Sequence, residues 1–154
     1  MKKVIVFTDG GCWPNPGGVG GWGALMIFDG TEHRRELFGG ERSSTNNRME
    51  MMGAIMALES LREPCEVILM TDSKYLKNGI TKWIKCWKAR GWTTKEREPV
   101  KNRELWERLD ALNQKHRVTW KWVPGHSGIS GNEQADRLAN RGKDLVRNEA
   151  GGMV

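Results

Sequence analysis

Asp9 closes the run Val4-Ile5-Val6-Phe7-Thr8, and Asp72 closes Val67-Ile68-Leu69-Met70-Thr71. Each is an acid at the end of an apolar, β-rich stretch, where burying a charge is costly unless something compensates it. Asp9 alternates onto the face of Ile5 and Phe7, and Asp72 onto that of Ile68 and Met70. Glu50 is spaced i, i+4, i+7 with Ala54 and Ala57, a small-residue row that lets a helix sit close to a sheet. Asp136 lies near the start of the last helical pattern, one residue after Ala135. Taken singly, each acid has a plain structural explanation: a first-turn helical acid suits the helix dipole, and an Asp after a strand caps a turn. Taken together they call for chemistry. Acids converging without cations repel one another and raise each other's pKa values. A bound divalent ion resolves the repulsion, and an all-oxygen, hard donor set suits Mg²⁺ or Mn²⁺ rather than zinc.

The elements that must position these acids alternate in type. Residues 3–9, 22–28, 34–38, 66–71 and 118–122 read as strands, and Asp29-Gly30 as a hairpin turn. Gly10 to Gly23 holds seven Gly and two Pro and begins as a loop. Met51, Ile55, Leu58 and Leu61 recur at helical spacing behind the capping candidates Ser44 and Thr45, and Pro64 closes that helix. Residues 73–79, 81–89, 101–113 and 132–146 read as further helices. The order β-β-β-α-β-α-α-α-β-α predicts an α/β fold. Its single five-stranded mixed sheet has strands 1–3 antiparallel and the later strands parallel to strand 1, with helices on both faces. With 154 residues the chain is one domain's worth, expected to span 1–147 with a frayed tail at 148–154.

Charge is concentrated. The net charge is +6, and Lys74, Lys77, Lys82, Lys85, Lys88, Arg90 and Lys95 contribute +7 in a window with no acid, interleaved with Trp83, Trp87 and Trp92. A solvated helix face is one explanation; seven uncompensated cations beside flat rings favour a nucleic-acid surface. Cys12, Cys65 and Cys86 are odd in number and far apart, against a disulfide framework or a zinc site. No apolar run approaches a bilayer span, and the first nine residues lack the long apolar core of a secretory leader, so the expected compartment is the cytoplasm.

Five segments carry a resemblance: Phe7-Thr8-Asp9-Gly10, Thr45-Asn46-Asn47-Arg48-Met49-Glu50, Thr71-Asp72-Ser73, Gly125-His126 and Asn132-Glu133-Gln134-Ala135-Asp136. In type, order and spacing they resemble the bacterial type I ribonuclease H family over residues 3 to 146. The resemblance implies a ribonuclease H-like fold and an endoribonuclease that cuts the RNA strand of an RNA–DNA hybrid, leaving 5′-phosphate and 3′-hydroxyl ends. It implies Asp9, Glu50, Asp72 and Asp136 as catalytic metal ligands and His126 as a catalytic histidine on a mobile loop. It implies substrate contacts at Cys12, Asn15, Asn46 and Gln134 on the RNA, at a DNA-phosphate pocket of Thr45 and Asn102, and at a DNA-sugar channel of Trp83 and Trp87. The basic segment holding Lys85 and Lys88 resembles the family's substrate-binding protrusion. The chain departs from the family pattern at Gly11, where Ser is frequent, at Lys74, where Gln is common, and in the Trp13-Pro14 context of Asn15.

Two divalent ions can straddle one phosphate, one lowering the pKa of the attacking water and the other stabilising the leaving 3′-oxygen. Asp9, on the central strand, is the expected shared ligand. Asp72 and Asp136 would hold the nucleophile's ion; Glu50 would hold the other and orient a 2′-hydroxyl, a group DNA lacks. His126, in a glycine-bearing loop ten residues before Asp136, suits proton transfer near the leaving group, whereas His33 and His116 read as ordinary. The alternatives are another metal-dependent nuclease of the same fold (resolvase- or exonuclease-like) and a non-catalytic hybrid-binding module. A monomer with no obligate protein partner and no membrane attachment is expected.

Overall fold

The computed structural model describes residues 1–125 and 128–152. The β-branched start of the chain forms β1 (Lys2–Trp13), followed by β2 (Val19–Phe28), β3 (Arg34–Glu41), α1 (Asn46–Glu59) and β4 (Cys65–Thr71). Then come α2 (Lys74–Asn78), α3 (Ile84–Ala89), α4 (Arg103–Lys115), β5 (Arg117–Trp122) and α5 (Ser130–Gly152). The five strands form one sheet in the order β3-β2-β1-β4-β5. β1 pairs antiparallel with β2, β2 antiparallel with β3, and β1 and β5 both run parallel to β4. This is the mixed sheet expected from the element order, and helices cover both faces.

The strands divide their side chains between two cores. Val4, Val6, Ala24, Met26, Val67 and Leu69 pack against α1 and α4 through Met51, Ile55, Leu58, Leu105, Trp106 and Leu109. Phe7 and Leu25 point the other way and meet Ala135 and Leu138 of α5. The alternation along β1 decides which helix each residue meets.

Besides shifts of two or three residues at the ends of β3 and α4, three differences from the sequence expectation stand out. The glycine-rich stretch 10–23 is mostly strand: β1 runs on to Trp13 and β2 starts at Val19. Glycine is needed there because helices press onto the sheet. A Cβ on Gly10 would stand 2.3 Å from the Met49 carbonyl carbon of α1, and one on Gly21 would stand 2.1 Å from the Ala139 oxygen of α5. The helices read separately at 73–79 and 81–89 are one continuous stretch joined by a π-helical turn, Gly79–Trp83. At its start Gly79 lies against Trp106, where a Cβ would come within 2.0 Å of the ring. Lastly, α5 continues to Gly152, past the Val146 at which its apolar pattern stops.

Candidate active site

The sheet register brings the first two acids level. Phe7 pairs with Met70, so two places further along both strands Asp9 stands beside Asp72. Glu50 arrives from α1, whose start is fixed by Thr45: the Thr45 hydroxyl accepts the Arg48 N–H at 3.1 Å. Of the two capping candidates Thr45 is therefore the cap, while the Ser44 hydroxyl donates to Glu41 at 2.8 Å. The contact of α1 with Gly10 pulls Glu50 down onto the strand. The Gly10 N–H donates to both Asp9 Oδ1 and Glu50 Oε1, each at 2.9 Å, and the Thr71 hydroxyl donates to Glu50 Oε2 at 3.4 Å.

Carboxylate oxygens of Asp9, Glu50 and Asp72 all lie within 4.8 Å of one another. Asp136, on the first turns of α5, faces Asp9 and shares with Asp9 and Asp72 a cavity of about 20 Å³, which Thr8, Gly125, Asn132 and Glu133 complete. Burial, with the neighbouring Asp72 and Asp136 adding to it, pushes the Asp9 carboxyl up to about 7 despite the favourable bonds from Glu50 and Gly10. Burial first, then the charges of Asp9 and Asp72, holds Glu50 well above the usual carboxylate range. Among the described residues no cationic side chain forms an ion pair with Asp9 or Glu50.

Three crowded carboxylates of this kind are a donor set that a hard divalent cation fits, since the ion supplies the missing positive charge and accepts only oxygen ligands. The same small cavity holds polar atoms outside the acids. Both side-chain polar atoms of Asn132 are buried without a protein hydrogen-bond partner among the described residues, beside a space large enough for about one water, and Thr8 Oγ1 is likewise unpartnered on the α1 face of β1, near Gly53. Thr8, Thr71 and Asn132 were not singled out from the sequence. Their signal there is membership of the segments Phe7-Thr8-Asp9-Gly10, Thr71-Asp72-Ser73 and Asn132-Glu133-Gln134-Ala135-Asp136, which assigns them no role of their own.

The expected substrate residues fall into three groups. Cys12, Asn15 and Asn46 form one network: the Cys12 N–H donates to Asn46 Oδ1 at 2.8 Å and the Asn46 N–H to Asn15 Oδ1 at 3.0 Å. Thr45, Asn102 and Trp87 line one open cavity of about 800 Å³ with Asn15 and Tyr75. Asn102, in the left-handed region at φ 60°, donates its amide to the Tyr75 hydroxyl at 3.2 Å. Trp83 stacks obliquely on Trp87 at 5.9 Å, and both continue into Tyr75 and Trp106. Lys85 is exposed, whereas Lys88 pairs with Asp110 at 2.8 Å, so the basic window is partly compensated. Lys74 lies over the Trp122 ring at 4.8 Å. Gln134 is held elsewhere: its amide donates to Glu36 on β3 and its oxygen accepts from Arg137. His126 lies outside the described residues; the preceding Gly125 presses against the Asp72 carboxylate.

A mixed sheet with a central parallel pair, carrying at its strand ends a partly buried acid cluster that could hold metal beside a basic aromatic helix, is the arrangement of a nuclease of the α/β class. The RNase H family model matches residues 1–144, and the chain belongs to that family of hydrolytic enzymes. It is 57% identical over 151 residues to a ribonuclease H of Alcanivorax borkumensis, covering 98% of each chain. It is 59% identical over 145 residues to ribonuclease HI of Pseudomonas putida, covering 94% of this chain and 96% of the relative. Among solved structures it resembles LC9-RNase H1, a type 1 RNase H with the type 2 active-site motif. That match has a TM-score of 0.85 at 32% identity and covers 94% of this chain and 73% of the other. No helix among the described residues is long and apolar enough to cross a membrane.

Proposed function

We propose that this chain is an endoribonuclease that hydrolyses the RNA strand of RNA–DNA hybrids, leaving 5′-phosphate and 3′-hydroxyl ends, with Mg²⁺ as its ion and Mn²⁺ as a substitute. The observation that carries the reading is the trio Asp9, Glu50 and Asp72, crowded within 4.8 Å on a chain of the RNase H family. Asp9, Glu50, Asp72 and Asp136 would hold two ions, which when bound would activate water and stabilise the leaving oxygen. The chain's own groups do the rest. Glu50, fixed by the Gly10 N–H and Thr71, presents a carboxylate edge to a ribose 2′-hydroxyl. Cys12, Asn15 and Asn46 offer amide and backbone groups to the RNA strand. Thr45 and Asn102 take a DNA phosphate, Trp83 and Trp87 lie against deoxyribose, and Lys85 and Lys88 track the backbone. Gln134 would join the RNA contact only after leaving Glu36. His126 gives or takes a proton at the leaving group. The protein works as a cytoplasmic monomer without a protein partner.

The test is incubation of labelled hybrid, duplex RNA and duplex DNA with Mg²⁺ and with a chelator. The expected result is internal cleavage of the hybrid's RNA strand alone, abolished by the chelator. Preferential cutting of duplex DNA would move the chain to a resolvase- or exonuclease-like role. Binding without cleavage, unaltered by Asp9→Asn, would make it a binding module.

A further inference from the structure

We infer that Trp13 and Lys143 form an additional backbone-gripping contact for the bound nucleic acid, on the α5 side of the acid cluster and separate from the basic helical segment. The inference rests on the hybrid-cleaving reading and extends its substrate surface.

Trp13 ends β1 with 74% of its surface exposed. A single exposed apolar residue is unremarkable on its own. Its placement is what matters here. Cys12 turns its thiol inward, toward the Pro14 carbonyl and Asn15. Strand alternation therefore puts Trp13 on the face of Gly11 and Asp9. Lys143 of α5 reaches the same face. Its backbone and stem lie on Gly21 of β2, and its ammonium ends 3.9 Å from where a Gly11 Cβ would be. Among the described residues the Lys143 ammonium has no hydrogen-bond or ion-pair partner.

Both residues stand at a matching distance from the acids. Trp13 is four strand residues beyond Asp9, about 13 Å. Lys143 is seven helical residues beyond Asp136, two turns along nearly the same stripe, about 10 Å. At roughly 3.4 Å per nucleotide step, that is about three to four nucleotides from the phosphate at the acids. Between the acids and this pair the floor is Gly11, whose missing side chain leaves room for a strand to lie close, with Asn46 Oδ1 at 3.4 Å and the Lys143 ammonium at 3.9 Å from where its Cβ would be.

The backbone that follows Trp13 is braced. The Gly18 N–H donates to the Pro14 carbonyl at 2.8 Å, the Gly17 N–H to Ser44 at 2.8 Å, and the Ser44 N–H to Gly18 at 3.0 Å. An exposed aromatic ring beside an unpaired ammonium over a glycine floor is the chemistry that grips a sugar–phosphate strand: the ring takes a base or sugar, the cation a phosphate.

The experiment measures binding of a long hybrid in chelator, and steady-state cleavage in Mg²⁺, for wild type, Trp13→Ala, Trp13→Phe, Lys143→Ala and Lys143→Arg. Trp13→Ala should weaken binding at least about fivefold, and Trp13→Phe should restore most of it. Lys143→Ala should lower the slope of log K against log salt by about 0.9, and Lys143→Arg should restore it. KM should rise more than kcat falls. The deficit should shrink toward none as the hybrid is shortened from one end only, to fewer than about three pairs beyond the cut. Wild-type cleavage with unchanged Ala variants, or with a deficit equal on every substrate length, would overturn this inference alone. A wild type that cuts no hybrid would overturn the reading beneath it.

Discussion

At the scale of single residues, the protein holds carboxylates where only added positive charge makes them comfortable. Among the described residues, buried Glu50 and half-buried Asp9 stand beside Asp72 without a cationic side chain paired to either. With metal chelated at pH 8, Asp9→Asn should stabilise the fold by about 1–3 kcal/mol, or roughly 2–4 °C in Tm per kcal/mol. Calorimetry in EDTA checks this, and a lower Tm for the variant would contradict it. His116 adds a pH dependence opposite in sign to that of the raised carboxyls Asp9 and Glu50. Burial first, and then Lys115, holds its imidazole below the ordinary 6.5, and Nδ1 accepts the Cys65 N–H at 3.0 Å. A base whose folded pKa is depressed contributes stability that is complete above its unfolded pKa. That contribution is lost as pH falls below about 6.5 toward the folded value, at a rate of up to about 1.4 kcal/mol per pH unit. Protonation of Asp9 and Glu50 acts alike in both proteins, so the denaturant midpoint of wild type minus that of His116→Gln should fall from pH 7.5 to 5. Parallel slopes would remove His116 from the account. Residue types alone reveal Asp9 and Asp72, because carboxylates ending apolar strands are conspicuous, whereas Glu50 and Asp136 are ordinary helical acids until the set is considered together. Residue types do not reveal Thr71 or Asn132, whose polar groups acquire a role only once Glu50 and the small cavity are brought beside them.

At the scale of elements, the basic segment shows both what a sequence can tell and what it hides. Its cations and tryptophans are visible in order. The π-helical turn that joins α2 to α3 is not, because it depends on Gly79 meeting the ring of Trp106 from a distant helix. Gly79→Ala would ordinarily stabilise a helix interior by up to about 1 kcal/mol. Here the added methyl meets a fully buried indole, so a loss of about 1–3 kcal/mol is expected, read as a lower denaturation midpoint. The segment's charges are also unequal. Lys88 is partly neutralised by Asp110 at 2.8 Å and Lys85 is not. Lys85→Ala should reduce the salt slope of hybrid binding by close to 0.9, and Lys88→Ala by less. Equal effects would show that the Lys88–Asp110 pair opens on binding. Strand extension into residues 10–23 was hidden for a related reason. Glycine signals a loop in isolation, and only the helices pressing on both sides turn it into a requirement of packing.

At the scale of the whole molecule, the fold was legible because its alternation of strands and helices admits few arrangements once crossovers are right-handed. The cluster was legible as a set of types but not as a shape, since the separations arise from register between β1 and β4 and from the seating of α1. If the ions bind where the acids meet, folding and metal uptake are linked. Titrating Mg²⁺ into the chelated wild type should raise Tm progressively as the ratio of ion to Kd grows, by about 2.7 kcal/mol at a hundredfold excess over Kd, while Asp9→Asn responds far less. An Mg²⁺-independent Tm would separate the acids from metal. The contact of Gly10 with the main chain of α1 has an evolutionary corollary. Most of the interior can drift through alternative fillings of similar volume, but a seam of peptide against peptide has no spare room to trade. A saturation library at position 10 should return glycine alone among active clones. Lineages that retune this enzyme must do so at its periphery, by changing what it holds, because the spacing of its acids is set by two backbones in contact.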